Sequence, residues 1–413
     1  MKKASPLSVG IALAIGLGNI ISAPAAIAKK EKPAEGPKIE VSKEFRAALV
    51  PIETDIKAAK YDGVVAKLDA AAAVYKLPDE QFIIGGRRYD FGKATANSVE
   101  QRKGVVGMVE SKSSLVTNIA QLNMVAGQFA FAASDYPDAI ARLSENIRLG
   151  GKEPDTFIRL AEASYKIGKN PDFYAYAKRA IVEQKALGQK APIDWYRRAV
   201  SIAFTEKNKA RIAEWAALQV ADYQTPENWR AALLTYKDAN KLDGQISLDV
   251  MRLLRVAKAL AGEGDFGEYA GLAVDRGLPG EVKSVIDEGR AAGTISKTSR
   301  GLNELLASAS NKIAGDLSSL AASEKQAPNA ATGKVAASTA DAYLGYGQDT
   351  KAIALYKLAL QKGQIDVDTI NTRLGIAYTH LGQKAEARSA FTAVTGSRSE
   401  IAKFWLLWLN SLS

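Results

Sequence analysis

The sequence contains no cysteine and one histidine, His380. Disulfides, thiolate metal sites and cysteine nucleophiles are therefore excluded, and a metal site or catalytic pair that needs two histidines cannot be built within one chain. No Gly-Lys-Ser or Gly-Lys-Thr is present, hence no phosphate-binding P-loop, and no G-x-S-x-G elbow. Prolines are few, 13 in 413 residues. Ala, Leu, Lys, Glu and Arg are plentiful instead, which favours helix. Beyond the N-terminus no run is long and apolar enough to cross a bilayer.

What is present is 47% hydrophobic and 24% charged, enough to bury a large core. Residues 1–28 read as a secretory signal: Lys2 and Lys3, an apolar middle from Val9 to Ile21, and Ala26-Ile27-Ala28 as a small-x-small cleavage pattern. Cleavage near Ala28 gives a soluble exported protein, periplasmic by this reading. The alternative, an uncleaved membrane anchor, is at odds with the shortness of the apolar run. Residues 29–41 (KKEKPAEGPKIEV) have no apolar period and read as a flexible linker. The net charge of +10 permits peripheral contact with an anionic membrane or polysaccharide. The bland alternative is charge spread over helix surfaces for solubility. Nucleic acid is not expected, because no dense Lys/Arg stripe interleaved with aromatics occurs.

From Ser42 onward the chain reads as helices in pairs. Leu374, Gly375 and Tyr378 share one helical face, a break follows at Leu381-Gly382, and Ala387 and Phe391 share the next. Ala340, Tyr343, Ala352 and Tyr356 stand 35 residues earlier in the same order. Around Ile119, Gly127 is followed by Ala139 and Leu143, and then by Leu160-Ala161, Phe173 and Ala177. Trp195 and Trp229 stand 34 residues apart, with Trp215 between them and Tyr236 after. Gly86 and Tyr89 give a Gly-x₂-Tyr. Periodic return of such residues resembles the tetratricopeptide repeat, a helix–turn–helix unit of about 34 residues with a W-x₂-L-G-x₂-Y opening and an Ala and Phe in its second helix. The copy at 369–394 has Asn371 in the Trp slot.

The resemblance implies an all-α fold, an α-solenoid of tetratricopeptide-like repeats winding as a right-handed superhelix. The expected organisation is a degenerate solenoid over 42–322, a polar linker or hinge over 323–333 (SEKQAPNAATG), a repeat pair over 334–396 and a terminal helix over 397–413. Repeat phase is not assigned between Leu248 and Gly333. Small residues let paired helices approach: Ala139, Ala340, Ala352, Gly375 and Ala387. Leu143, Trp195, Trp229, Tyr236, Tyr343, Tyr356, Leu374, Tyr378 and Phe391 fill the space beside them. The last segment opens with a capping-box pattern, Ser397 to Glu400, and carries an apolar stripe of Ile401, Phe404, Trp405, Trp408 and Leu412. It is read as a cap over the outer face of the last repeat, or alternatively as a docking surface.

First helices of such repeats line a groove. In this phase its lining is Gln121, Met124, Gln128 and Phe131, then Asp155, Ile158, Glu162 and Tyr165, then Tyr196 and Phe204, then Glu227, Arg230 and Lys237. Rings mixed with amides and both charge signs fit an extended peptide. The alternative places these rings in helix packing. Gly262-Glu-Gly264-Asp-Phe-Gly267 matches G-x-G-x-x-G but follows a helical pattern, so it reads as a helix–helix turn. His380 sits in a repeat helix, exposed rather than catalytic. The chain resembles exported, periplasmic tetratricopeptide proteins of Gram-negative bacteria. The expected function is a non-catalytic scaffold that binds a protein or peptide of the cell envelope, with no cofactor and no metal. The alternatives are a carbohydrate- or peptidoglycan-acting enzyme using groove carboxylates, and a polysaccharide-binding or export-assembly component.

Overall fold

The computed structural model describes residues 39–412, so the signal read over 1–28 and the linker up to residue 38 lie outside the described residues. Every regular element among the described residues is helical, and no helix there is long and apolar enough to cross a membrane. The chain divides at Ala191–Pro192 into two units.

Unit 1 holds α1 (Lys43–Lys57), α2 (Val64–Val74), α3 (Pro78–Ala94), α4 (Ser98–Glu110), α5 (Ile119–Ala132), α6 (Tyr136–Arg148), α7 (Pro154–Lys166) and α8 (Asn170–Ala186). The turn inside a pair follows a local rule. A residue in the left-handed region, Ala96 (φ 54°) or Ser134 (φ 60°), is followed at once by a capping Asn97 or Asp135. That side chain accepts from backbone amides of the new first turn, which have no partner within the helix. The α3–α4 pair is closed by glycine. A Cβ on Gly85 would lie 2.8 Å from the Gly104 carbonyl oxygen, and one on Gly104 would lie 2.5 Å from that of Gly85. Gly85 and Gly104 therefore set this crossing. In α5–α6 a Cβ on Gly127 would lie 2.6 Å from the Leu143 side chain. Val105, Met108, Leu122, Val125, Leu143 and Leu160 join these pairs in one core.

The end of the expected linker is not loose. Ile39 and Val41 pack beside Phe45, Ile52, Leu68 and Ile83. The Glu40 amide donates to Asp79 (2.9 Å), and the Ser42 amide donates to Glu80. Apolar residues at alternate positions pin an extended strand of chain to a helix surface, a pattern too short to stand out from a Pro- and Lys-rich neighbourhood.

Unit 2 holds α9 (Ile193–Thr205), α10 (Lys209–Asp222), α11 (Pro226–Asn240), α12 (Gly244–Val256), α13 (Gly262–Asp275), α14 (Pro279–Ala291), α15 (Arg300–Gln326), α16 (Lys334–Gly345), α17 (Asp349–Lys362), α18 (Val367–His380), α19 (Lys384–Thr392) and α20 (Ser399–Ser411). The G-x-G-x-x-G match at Gly262–Gly267, expected as a helix–helix turn, is instead the start of α13 itself: Gly262 (φ 67°) opens the helix, Gly264 and Gly267 lie within it, and what precedes it is helix α12 and not a strand. Gly375 repeats the Gly127 relation, since its Cβ would lie 2.6 Å from the Phe391 ring.

The hinge expected over 323–333 is largely helix. α15 continues to Gln326, a 3₁₀ turn spans Ala327–Asn329, and Ala327 is buried. Gly333 donates to the Gly363 carbonyl (2.9 Å) and Lys362 to that of Ala330 (2.7 Å), which ties the segment down. Its polarity is the solvated face of a helix.

Two helices of unit 2 are buried all round: α12 from Ile246 to Leu254 and α18 from Thr369 to Thr379. α11, α13 and α20 pack on α12; α16, α17 and α19 pack on α18; and α20 also lies on α10 and α19. The capping box expected at Ser397 does not form. Residues Gly396–Arg398 make a 3₁₀ turn, Glu400 pairs with Lys403, and Arg398 is drawn inward to Asp249.

Candidate functional site

In unit 1 the expected lining residues fall on α5 and α7. Met124 is buried and belongs to the core. Gln121, Gln128, Phe131, Ile158, Glu162 and Tyr165 are half-buried, and Asp155 is exposed. Phe131 and Asp155 are brought together through Arg159, a residue outside the expected lining. Its guanidinium lies 5.7 Å from the Phe131 ring centroid and bonds Asp155 at 2.7 Å. Phe131 also meets Tyr136 edge-on at 5.8 Å. Tyr165 meets Phe173 edge-on at 6.1 Å. The face is thus a held arrangement of rings with a paired charge at its edge. On the α4–α6 side of this unit a cleft of about 660 Å³ is lined by Val99, Arg102, Lys103, Phe129 and Arg142 among others.

In unit 2 the expected lining is mostly taken up internally. Tyr196 is fully buried and its hydroxyl donates to Asp222, so it is core and not groove. Trp195, expected in the packing, is the half-buried neighbour. The register there is displaced by one residue, because two adjacent aromatics fit the periodicity equally well. Phe204 is 57% exposed. Arg230 makes a two-pronged bond to Asp265 (2.7 and 2.8 Å), and Lys237 pairs with Glu268. Burial raises the Asp265 carboxyl pKa, but Arg230 and the Ala261 amide outweigh it and hold it below the usual range. Glu227 remains exposed, its pKa lowered chiefly by a bond to Thr225. The packing residues Ala139, Leu143, Trp229, Tyr236, Ala340, Tyr343, Ala352, Tyr356, Leu374, Tyr378, Ala387 and Phe391 are all buried. Trp229 and Tyr236, however, face Phe404 of α20, at 6.5 and 5.5 Å between ring centroids.

The interior of unit 2 carries a polar network that periodicity did not reveal. Arg252 bonds Glu281 through two nitrogens (2.8 and 2.6 Å) and Asp249 through a third (2.9 Å). Arg398 also bonds Asp249, and Arg373 bonds Asp341 and lies 3.7 Å from Asp249. Tyr269 donates to Glu281 and Tyr356 to Asp341, each at 2.7 Å. Three guanidinium groups thus face three carboxylates. Burial raises the Glu281 pKa, but Arg252 brings it below the usual value. One clue was present in the sequence: Asp249 and Arg252 interrupt an apolar run that is otherwise continuous.

A cleft of about 520 Å³ opens beside this network, lined by Arg255, Lys258, Glu281, Glu288, His380 and Trp408 among others. Both carboxylates are engaged, Glu281 by Arg252 and Glu288 by Arg255 (2.6 Å). His380 is exposed and pairs with Asp349 through Nδ1 at 2.9 Å. Among the described residues no group of three or more His, Asp or Glu side chains is placed to hold a metal ion.

No protein-family model matches the chain, and no curated protein matches it. Among solved structures it is similar to a tetratricopeptide repeat protein from Parabacteroides merdae ATCC 43184, with 8% identity, a TM-score of 0.25, and coverage of 79% of this chain and 98% of that one. It is similar to the TPR domain of P58(IPK), with 11% identity, a TM-score of 0.22, and coverage of 89% and 98%. A third likeness is to Naa15/Naa10 bound to HypK-THB, with 13% identity, a TM-score of 0.29, and coverage of 87% of this chain and 61% of that one. Its own helix pairs, closed at Gly127–Leu143 in unit 1 and at Gly375–Phe391 in unit 2, are tetratricopeptide-like helix–turn–helix units within an all-α fold.

Proposed function

We propose that this chain is a non-catalytic scaffold that is exported and captures a protein or peptide partner in the cell envelope through the α5–α7 face of unit 1. The observation that carries this reading is the arrangement of Phe131, Arg159 and Asp155 across two helices, with Tyr165 of α7 held edge-on to Phe173 of α8. Partly exposed rings beside a charged edge are the features from which interaction hot spots are built. The export part rests on the signal-like pattern of residues 1–28.

A hydrolase reading draws no support from the unit 2 cleft. A general acid needs a carboxyl that stays protonated near neutral pH. Glu281 is held in the opposite direction and Glu288 is ion-paired.

The test is co-purification from intact envelopes with the wild type and with Phe131→Ala/Tyr165→Ala, beside melting curves of both. Loss of a specific co-purifying protein at nearly unchanged Tm is expected. Retention of the same partners by the double variant overturns the assignment to this face. N-terminal sequencing of the protein from fractionated cells tests export, and an intact Met1 held in membranes counts against it.

A further inference from the structure

We infer that the groove bordered by α12, α15, α16 and α18 of unit 2 binds an extended peptide segment rich in aspartate or glutamate. This goes beyond the α5–α7 capture face: the groove lies in unit 2, uses other residues and does not rest on that reading.

Two clefts, of about 320 Å³ and about 570 Å³, meet there and share Gln245, Ser338, Asp341 and Arg373 as lining. Arg276 lines the first and Lys334 the second. Every carboxylate of the lining is engaged within the fold. Asp341 accepts from Tyr356 (2.7 Å) and from Arg373, and Asp316 accepts from Tyr346 (2.7 Å). Asp366 holds the Thr369 hydroxyl (2.6 Å) and the first amides of α18. The Gln245 carbonyl oxygen accepts from Arg373 (3.2 Å), which leaves its amide nitrogen as a donor. Among the described residues no partner is placed for the Arg276 guanidinium or the Lys334 ammonium. The charged groups left free in the groove are therefore both cationic.

Arg276 stands over the start of α12, where a Cβ on Gly244 would lie 3.3 Å from its Nη2. The first turns of α12, α16 and α18 all border the groove, and the N-terminal end of a helix carries partial positive charge. Asp243 and Asp366 already answer the amides of α12 and α18. That leaves α16, whose N-cap is Gly333 and whose first residue is Lys334. A ligand carrying carboxylates meets complementary charge at Lys334 and again at Arg276. No aromatic ring lines either cleft, so a sugar face has nothing to stack on. Leu278, Leu320 and Ile365 instead offer aliphatic surface to the methylene groups of a peptide. Two clefts joined through shared residues suit an extended chain better than a compact ligand.

The probe is a fluorescein-labelled octaglutamate peptide, titrated with the full chain and read by anisotropy. Arg276→Glu/Lys334→Glu is expected to raise its Kd at least about tenfold, and the charge-matched Lys60→Glu/Lys152→Glu, at exposed lysines of unit 1, less than about twofold. Gln245→Glu keeps an oxygen for Arg373 and adds a negative charge to the groove, so it is expected to weaken binding too. It reads the same site if the double reversal unfolds unit 2. Phe131→Ala/Tyr165→Ala is expected to leave the octaglutamate affinity unchanged, so the groove and the capture face fail separately. Absence of octaglutamate binding by the wild type overturns the inference. Equal weakening by the two charge-reversed double variants also overturns it, because the attraction is then that of the whole chain's positive charge. An oligogalacturonate of the same charge that displaces the peptide at lower concentration assigns the groove to an acidic glycan and overturns the peptide reading.

Discussion

Arg398 donates to the carboxylate of Asp249, 149 residues earlier in the chain, and both side chains are withdrawn from solvent. The contact joins the turn before α20 to the central helix α12. Asp249 also accepts from Arg252, so a single carboxylate compensates two buried cations directly and faces a third, Arg373.

Asp249→Ala is therefore expected to destabilise unit 2 by about 3–5 kcal/mol, because removing one partner leaves uncompensated charge in the interior. Urea unfolding followed by circular dichroism checks this. A change under 1 kcal/mol would mean that water reaches the site.

The glycine crossings give an ordered pair of predictions. A Cβ at Gly104 meets the Gly85 carbonyl, which is backbone, whereas one at Gly127 meets the end of the Leu143 side chain, which can rotate. Overpacking typically costs about 1–3 kcal/mol, and Gly104→Ala is expected at or above the top of that range with Gly127→Ala near the bottom. Thermal melts of the two variants settle the order.

Lys207 sits in the left-handed region (φ 55°) immediately before the capping residue Asn208, whose side chain accepts from the Arg211 amide at 3.1 Å. A residue with a Cβ is strained in that region, and glycine is not. Lys207→Gly is expected to raise stability by a few tenths of a kcal/mol up to about 1. Asn208→Ala is expected to lower it by about 1 kcal/mol. Opposite shifts of the melting temperature in the two variants are the readout.

Alkaline stability follows from Tyr236. Burial, aided by the charge of Glu400, pushes its hydroxyl up to about 12. An unfolded tyrosine titrates near 10. Between those values the unfolded chain has released the proton and the folded chain still holds it, so raising the pH favours unfolding. The contribution is fully present below about pH 10 and is lost as the pH rises toward 12, amounting to about 2–3 kcal/mol. Tyr236→Phe is expected to flatten the stability curve over that window. An unchanged slope in denaturant titrations at several pH values would exclude Tyr236 as its source.

The helix pairs were legible in the sequence because their determinants are local. Asn97, Asp135 and Asn208 cap the helices that follow them, and the Gly127–Leu143 and Gly375–Phe391 relations need only one helix–turn–helix unit to form. Where two neighbours compete for one inward position, periodicity cannot choose. Trp195 and Tyr196 differ by one step around the helix, and packing with Asp222 at hand for the hydroxyl buried the tyrosine. Polarity misled at 323–333, since a solvated helix face and a hinge have the same composition. What only the tertiary structure decided is the interior of unit 2. Asp249 of α12 and Arg373 of α18 reach partners more than a hundred positions away, Arg398 and Gln245, only when the chain has folded. The aromatic stripe of α20 likewise announced that it must be buried, but its partners Trp229 and Tyr236 had already been assigned to packing within their own repeat. A sequence pattern records which face of a helix avoids water; which distant surface covers that face is fixed only when the chain closes on itself.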